Sequence, residues 1–71
     1  MMQSLTQKEM VMKYIKDFGS ISPMEAFSDL GITKLATRVS ELIREGEDIK
    51  KVPEQRLNRY GKKCRYMRYT I

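Results

Sequence analysis

The stretch "GITKLATRVSELIREG", residues 31–46, has a glycine at each end and an amphipathic helix between. Leu35, Val39, Leu42 and Ile43 recur at three- and four-residue steps and so line one side of that helix. Lys34, Thr37, Arg38 and Glu41 fall on the other. A polar face of this kind is ordinarily just solvated, and what flanks it in the chain decides whether it does more.

Upstream, local signals define two further helices. In "LTQKEM" Thr6 is an N-cap with Glu9 three residues on, a capping box, and Leu5 can staple onto Met10. The first helix then runs from about Gln7, with Val11, Tyr14, Ile15 and Phe18 as its buried stripe and Gly19 as its left-handed stop. "SISPME" repeats the logic, with Ser22 as cap, Pro23 at the first helical position and Glu25 closing the box. This second helix is short, about residues 23–30, and turns Ala26, Phe27 and Leu30 inward. Only "GIT" separates it from the third helix, for which Thr33 is the expected cap. A turn this short holds consecutive helices at a steep angle, the geometry of a helix-turn-helix.

After Gly46 the period changes. "DIKKV" and "KKCRYMRYTI" interleave β-branched and aromatic residues with polar ones and read as two strands, with "PEQRLNRYG" as the turn of a hairpin. Ile49 is the expected core contact of the first strand, which should end or bulge at Pro53, where no ladder hydrogen bond can be donated. Met67, Tyr69 and Ile71 share one face and should cover the helices, while Tyr66 and Arg68 share the other. "SIS", residues 20–22, can supply a third small strand. The fold class that follows is α+β: a winged helix-turn-helix, three helices and then a β-hairpin wing. Residues 1–71 form a single domain, with helices at about 7–18, 23–30 and 34–45 and the hairpin at about 49–71.

Composition narrows the functions open to such a chain. Its 71 residues suit one small domain, which hides only about 60% of the surface its unfolded chain exposes. A single cysteine, Cys64, precludes an intramolecular disulfide, and with no histidine the usual zinc ligand sets are missing, so no cofactor is expected. Neither a membrane span nor an apolar leader is legible in the sequence, "MMQSLTQKEM" included, and the expected setting is reducing and cytoplasmic. Basic neighbours can lower the Cys64 pKa, yet no histidine is there to pair with it; no Gly-rich phosphate loop or acid–base pair appears either, so the expectation is a protein that is not an enzyme. The methionines read as fillers of gaps in the core and of surface grooves.

Charge is the informative feature. The net +5 divides into −1 over residues 1–33 and +6 over residues 34–71, an asymmetry that points to a polyanion. From Ile49 to Ile71, Lys50, Lys51, Arg56, Arg59, Lys62, Lys63, Arg65 and Arg68 face only Glu54. Lysine and arginine also keep edge strands from pairing with other chains, but that does not account for the charges of the loop. The reading is therefore double-stranded DNA, with the third helix in the major groove. There Thr33 and Lys34 would dock on a phosphate near the helix N-terminus, Thr37, Arg38 and Glu41 would face the groove, and Arg38 has the fork to bond guanine O6 and N7. Arg56, Asn58, Arg59, Tyr60, Lys62 and Lys63 at the hairpin tip would reach the backbone or the adjacent minor groove. Against this stand a merely solvated face and an Arg38 paired with Glu41 or Glu45. "RYGKKCRYMRY" echoes an RNA-binding pattern only faintly, without its glycine–aromatic order.

Taken together, "LTQKEMVMKYIKDFGSISPMEAFSDLGITKLATRVSELIREG" and "NRYGKK" followed by "RYMRYTI" resemble small winged helix-turn-helix proteins of phages and prophages, over about Leu5 to Ile71. The resemblance implies a winged-helix fold and DNA binding, with Lys34, Thr37 and Arg38 on the recognition helix and Asn58 to Lys63 at the wing. The chain departs from that pattern at "VPEQRL", residues 52–57. The expected role is a phage-type transcriptional regulator or architectural accessory factor, in which a homodimer or a second DNA-bound protein adds contact area. The alternative is a protein–protein interaction module whose basic wing binds an acidic host or phage protein. No small-molecule ligand is evident.

Overall fold

Two capping boxes open the helical part of the chain. Thr6 Oγ1 accepts the Glu9 N–H at 3.1 Å while Glu9 Oε1 accepts the Thr6 N–H at 3.0 Å, which starts α1 (Gln7–Phe18). Ser22 Oγ and Glu25 Oε1 do the same at 3.2 and 2.9 Å for α2 (Pro23–Leu30). The Thr6 backbone N–H above all, with the Thr6 hydroxyl adding to it, holds the Glu9 carboxyl below the usual carboxylate range. Ser22 is itself buried. Ser22→Ala should therefore cost about 1 kcal/mol, seen as a lower urea midpoint with the slope unchanged.

The structure, a computed structural model, describes residues 5–71. The reading of "MMQSLTQKEM" as leaderless falls partly on residues 1–4, which lie outside the described residues. After α1 come β1 (Ser20–Ile21), α2, α3 (Leu35–Arg44), β2 (Lys50–Leu57) and β3 (Lys63–Thr70), and the strands form one antiparallel sheet in the order β1-β3-β2. The small strand at Ser20–Ile21 pairs with Tyr69 and Thr70 of β3.

Helix α3 is shorter than residues 34–45, and Thr33 is not its cap. Lys34 holds that position, at φ −118° and ψ 56°, with no side-chain hydrogen bond to the first turn. Lys34 cannot substitute for a threonine there, because an ammonium group only donates. The far end is closed firmly. The N–H groups of Gly46 and Glu47 bond to the carbonyls of Ile43 and Leu42, both at 3.0 Å, around Gly46 at φ +104°, a conformation that favours glycine.

The core is built from Val11 and Ile15 of α1, Ile21 of β1, Ala26 of α2, Leu35, Val39 and Leu42 of α3, with Ile32, Ile49 and Tyr69 closing it. Several residues expected in it are outside. Phe18 is 71% exposed and Phe27 60% exposed; Ile43, Met67 and Ile71 are exposed too, and Tyr14 and Leu30 are only partly buried. The cause is reach. Phe18 is the last residue of α1, and α2, with eight residues, fully buries only Ala26. Tyr14 instead bridges the first two helices: its hydroxyl donates to Asp29 Oδ2 at 2.6 Å, and its ring lies 4.6 Å from that of Phe18. That bond to Asp29, with burial adding to it, raises the Tyr14 pKa to about 12.

Strand β2 neither ends nor bulges at Pro53. Pairing runs unbroken from Lys50 opposite Thr70 to Leu57 opposite Lys63, with Pro53 opposite Met67. The reason is topology. As an edge strand, β2 turns alternate N–H groups away from the ladder, and a proline at such a position removes no bond. "PEQRL" is thus strand rather than turn, and the turn shrinks to residues 58–62. Every residue of β2 except Glu54 is exposed, so the hairpin stands off the helices as a two-stranded ribbon in a molecule extending 46 × 27 × 20 Å.

Candidate nucleic-acid interface

The residues singled out in the sequence lie in two groups, one at the N-terminal half of α3 and one on the distal hairpin. No hydrogen bond or ion pair joins the two groups among the described residues.

In the first group Thr33, Lys34 and Thr37 are exposed. With no side chain capping α3, its first-turn N–H groups are left to solvent or to a ligand. Arg38 and Glu41 are half-buried and form an i,i+3 ion pair, Nε to Oε1 at 3.2 Å. The two atoms are shielded from solvent but not aligned as a hydrogen bond, so the pair is electrostatic. One of the two pairings weighed for Arg38 is thus present. It occupies the Nε edge of the guanidinium, while the terminal nitrogens have no carboxylate partner among the described residues.

In the second group the turn is organised by Asn58. Its Oδ1 accepts the N–H groups of Tyr60 at 2.9 Å and Lys62 at 3.0 Å, and its own N–H donates to the Lys62 carbonyl at 2.8 Å. Gly61, at φ +78°, lets the chain turn back into β3. Asn58 is therefore part of the scaffold, with only its Nδ2 left for a ligand. The scaffold presents Arg59, Tyr60 and Lys62 on an exposed loop. Arg56, opposite Cys64, and Lys63, opposite Leu57, flank it on the two strands.

One cluster escaped sequence reasoning. Arg68 Nε donates to Glu54 Oε1 at 2.9 Å, and its Nη1 donates to Glu25 Oε1 at 2.9 Å and to Ser20 Oγ at 3.1 Å. The Tyr66 hydroxyl donates to the other oxygen of Glu54 at 2.7 Å. That hydroxyl, followed by Arg68, holds the Glu54 carboxyl below its ordinary range, and Glu54 above all raises the Arg68 pKa. The shared face of Tyr66 and Arg68 was legible, but a partner 43 residues away was not.

This cluster revises the electrostatics of the wing. Its one carboxylate is already committed to Arg68, which in turn is neutralised by two acids. Lys50, Lys51, Arg56, Arg59, Lys62, Lys63 and Arg65 have no acidic partner among the described residues. Seven unpaired cations on one exposed ribbon make a strong local positive field.

The fold defines a class: a helix-turn-helix continued by a β-hairpin. In agreement, a family described as winged helix-turn-helix domain matches residues 6–71. The chain belongs to this winged helix-turn-helix family, and membership points to double-stranded DNA as the partner. No curated protein and no solved structure matches it.

Proposed function

We propose that the protein is a non-enzymatic module that binds double-stranded DNA, with α3 in the major groove and the wing on the sugar–phosphate backbone. The observation that carries this reading is the set of unpaired cations on an exposed hairpin, because a solubilising surface normally mixes both signs. Thr33 and Lys34, beside the uncapped first turn of α3, suit a phosphate oxygen, for which free backbone N–H groups and the helix dipole are both favourable. Arg38 is the base reader. Glu41 fixes its Nε edge, and the terminal nitrogens remain to bond the acceptors of a guanine. Arg56, Arg59, Tyr60, Lys62 and Lys63 hold the backbone beside it.

The narrower role is that of a small phage-type transcriptional regulator or architectural factor, which the resemblance described above supports. A single module of this size offers little contact area, so a second copy or a neighbouring DNA-bound protein would raise affinity.

Selection of bound sequences from a random duplex pool, repeated with two variants, tests the assignment. Arg38→Ala should relax the preference at one base pair and cost roughly 1–3 kcal/mol against the selected site, whereas Lys62→Ala should weaken all duplexes alike. Identical, sequence-independent losses from both would remove the base-reading role of Arg38.

A further inference from the structure

The distal hairpin has little of its own to hold it in place. From the Pro53–Met67 pair outward no residue is buried, and a two-stranded ribbon without a packed face is at best marginally stable in water. Its root is anchored by Ile49 and Tyr69 in the core and by the β1–β3 pairing, and one polar side chain adds a directional tie from there to the helix-turn-helix. We propose that Arg68 is the positioning residue that fixes the direction in which the wing leaves the helical body. The fork of its guanidinium reaches Glu54 on β2 through Nε, and Glu25 on α2 and Ser20 on β1 through Nη1.

Three features make this a brace rather than a surface ion pair. The guanidinium is planar and rigid, so engaging carboxylates from two elements sets the angle between those elements and not only their distance. Both carboxylates are held from a second side, Glu54 by the Tyr66 hydroxyl and Glu25 by the Ser22 N–H at 2.9 Å. The same Glu25 oxygen therefore closes the α2 capping box and receives Arg68, which locks the wing to the start of the helix-turn-helix. Arg68 is a basic residue of the wing whose Nε and Nη1 are engaged within the fold, and it contributes orientation rather than a phosphate contact. The consequence for DNA rests on the proposed function; the brace itself does not.

The test uses the single native cysteine. Cys64 is exposed on β3 and Ser28 is exposed on α2, so spin labels at Cys64 and at Ser28→Cys report the wing-to-helix distance by pulsed electron resonance on the full chain. The expected result is one narrow distance distribution for the parent, a broad one for Arg68→Met and an intermediate one for Arg68→Lys. Glu25→Gln is the second variant, because glutamine still closes a capping box while the charge facing Arg68 is lost; it should broaden the distribution with helix content preserved in far-ultraviolet dichroism. Distributions for Arg68→Met and Glu25→Gln as narrow as the parent's, with the same maximum, overturn the brace.

Duplex binding adds an independent arm. Arg68→Met should weaken binding about tenfold through lost preorganisation, with the salt slope unchanged. A slope smaller in magnitude by about 0.9 would instead make Arg68 a phosphate contact and overturn its positioning role. Failure of the parent to bind any duplex sinks the DNA reading, while the distance measurement still decides on the brace.

Discussion

Ile15→Ala should lower stability by about 3 kcal/mol, and Phe18→Ala, one helical turn later on the same stripe, should change it by less than about 0.5 kcal/mol. Ile15 is 1% exposed and sits among Val11, Ile21, Val39 and the rest of the core, so truncation removes buried surface and leaves a cavity that rigid neighbours cannot fill. Phe18 projects from the end of α1, and its removal uncovers little beyond the ring of Tyr14. A domain under about 80 residues rarely holds more than 3–5 kcal/mol in a single core, so the loss at Ile15 approaches the whole. With about 4–8 °C of Tm per kcal/mol at this size, Ile15→Ala should melt lower by roughly 12–24 °C, while Phe18→Ala stays within a few degrees of the parent. Differential scanning calorimetry separates the two. Equal losses would mean that α1 buries its last turn and that the residues packed against it differ from those described.

The contrast between Ile15 and Phe18 also shows what periodicity can specify. Spacing determines which side of a helix faces inward, and Val11, Ile15, Val39 and Leu42 are buried accordingly. It does not determine how far the opposing element extends. Phe18 and Phe27 lie on the expected stripes but beyond the partners that would cover them. Interactions spanning three residues were more legible: both capping boxes follow from sequence separation, and the Arg38–Glu41 pair is one of the two that the sequence left open to Arg38.

The interactions that define the wing depend on topology. Pro53 reads as a strand breaker until β2 is known to be an edge strand, after which it is unremarkable. Arg68 reads as one more wing cation until Glu25, brought to it across the fold, claims its charge. The candidate interface was accordingly legible as composition, a basic C-terminal half, but not as geometry, since the sequence does not show which of those charges are already satisfied.

That distinction gives the largest functional prediction. If about six of the unpaired wing and α3 cations neutralise phosphates, the plot of log K against log salt has a slope of about −5, and raising salt from about 50 to 200 mM weakens duplex binding roughly a thousandfold. Replacing Arg59, Lys62 and Lys63 together by glutamine should reduce the magnitude of the slope by about 2.7, because each lost phosphate contact withdraws about 0.9. These three are suitable targets because none pairs with an acid among the described residues, and the turn rests on the Asn58 carboxamide and Gly61 rather than on their side chains. Folding should therefore persist while affinity falls, which fluorescence anisotropy and thermal denaturation on the same samples can verify. An acidic protein partner would also be salt-sensitive, but it would leave random duplex unbound even at low salt. A parent protein that binds random duplex with a slope near zero would contradict the electrostatic account directly, because an exposed ribbon of unpaired cations meeting a phosphate backbone must release counterions.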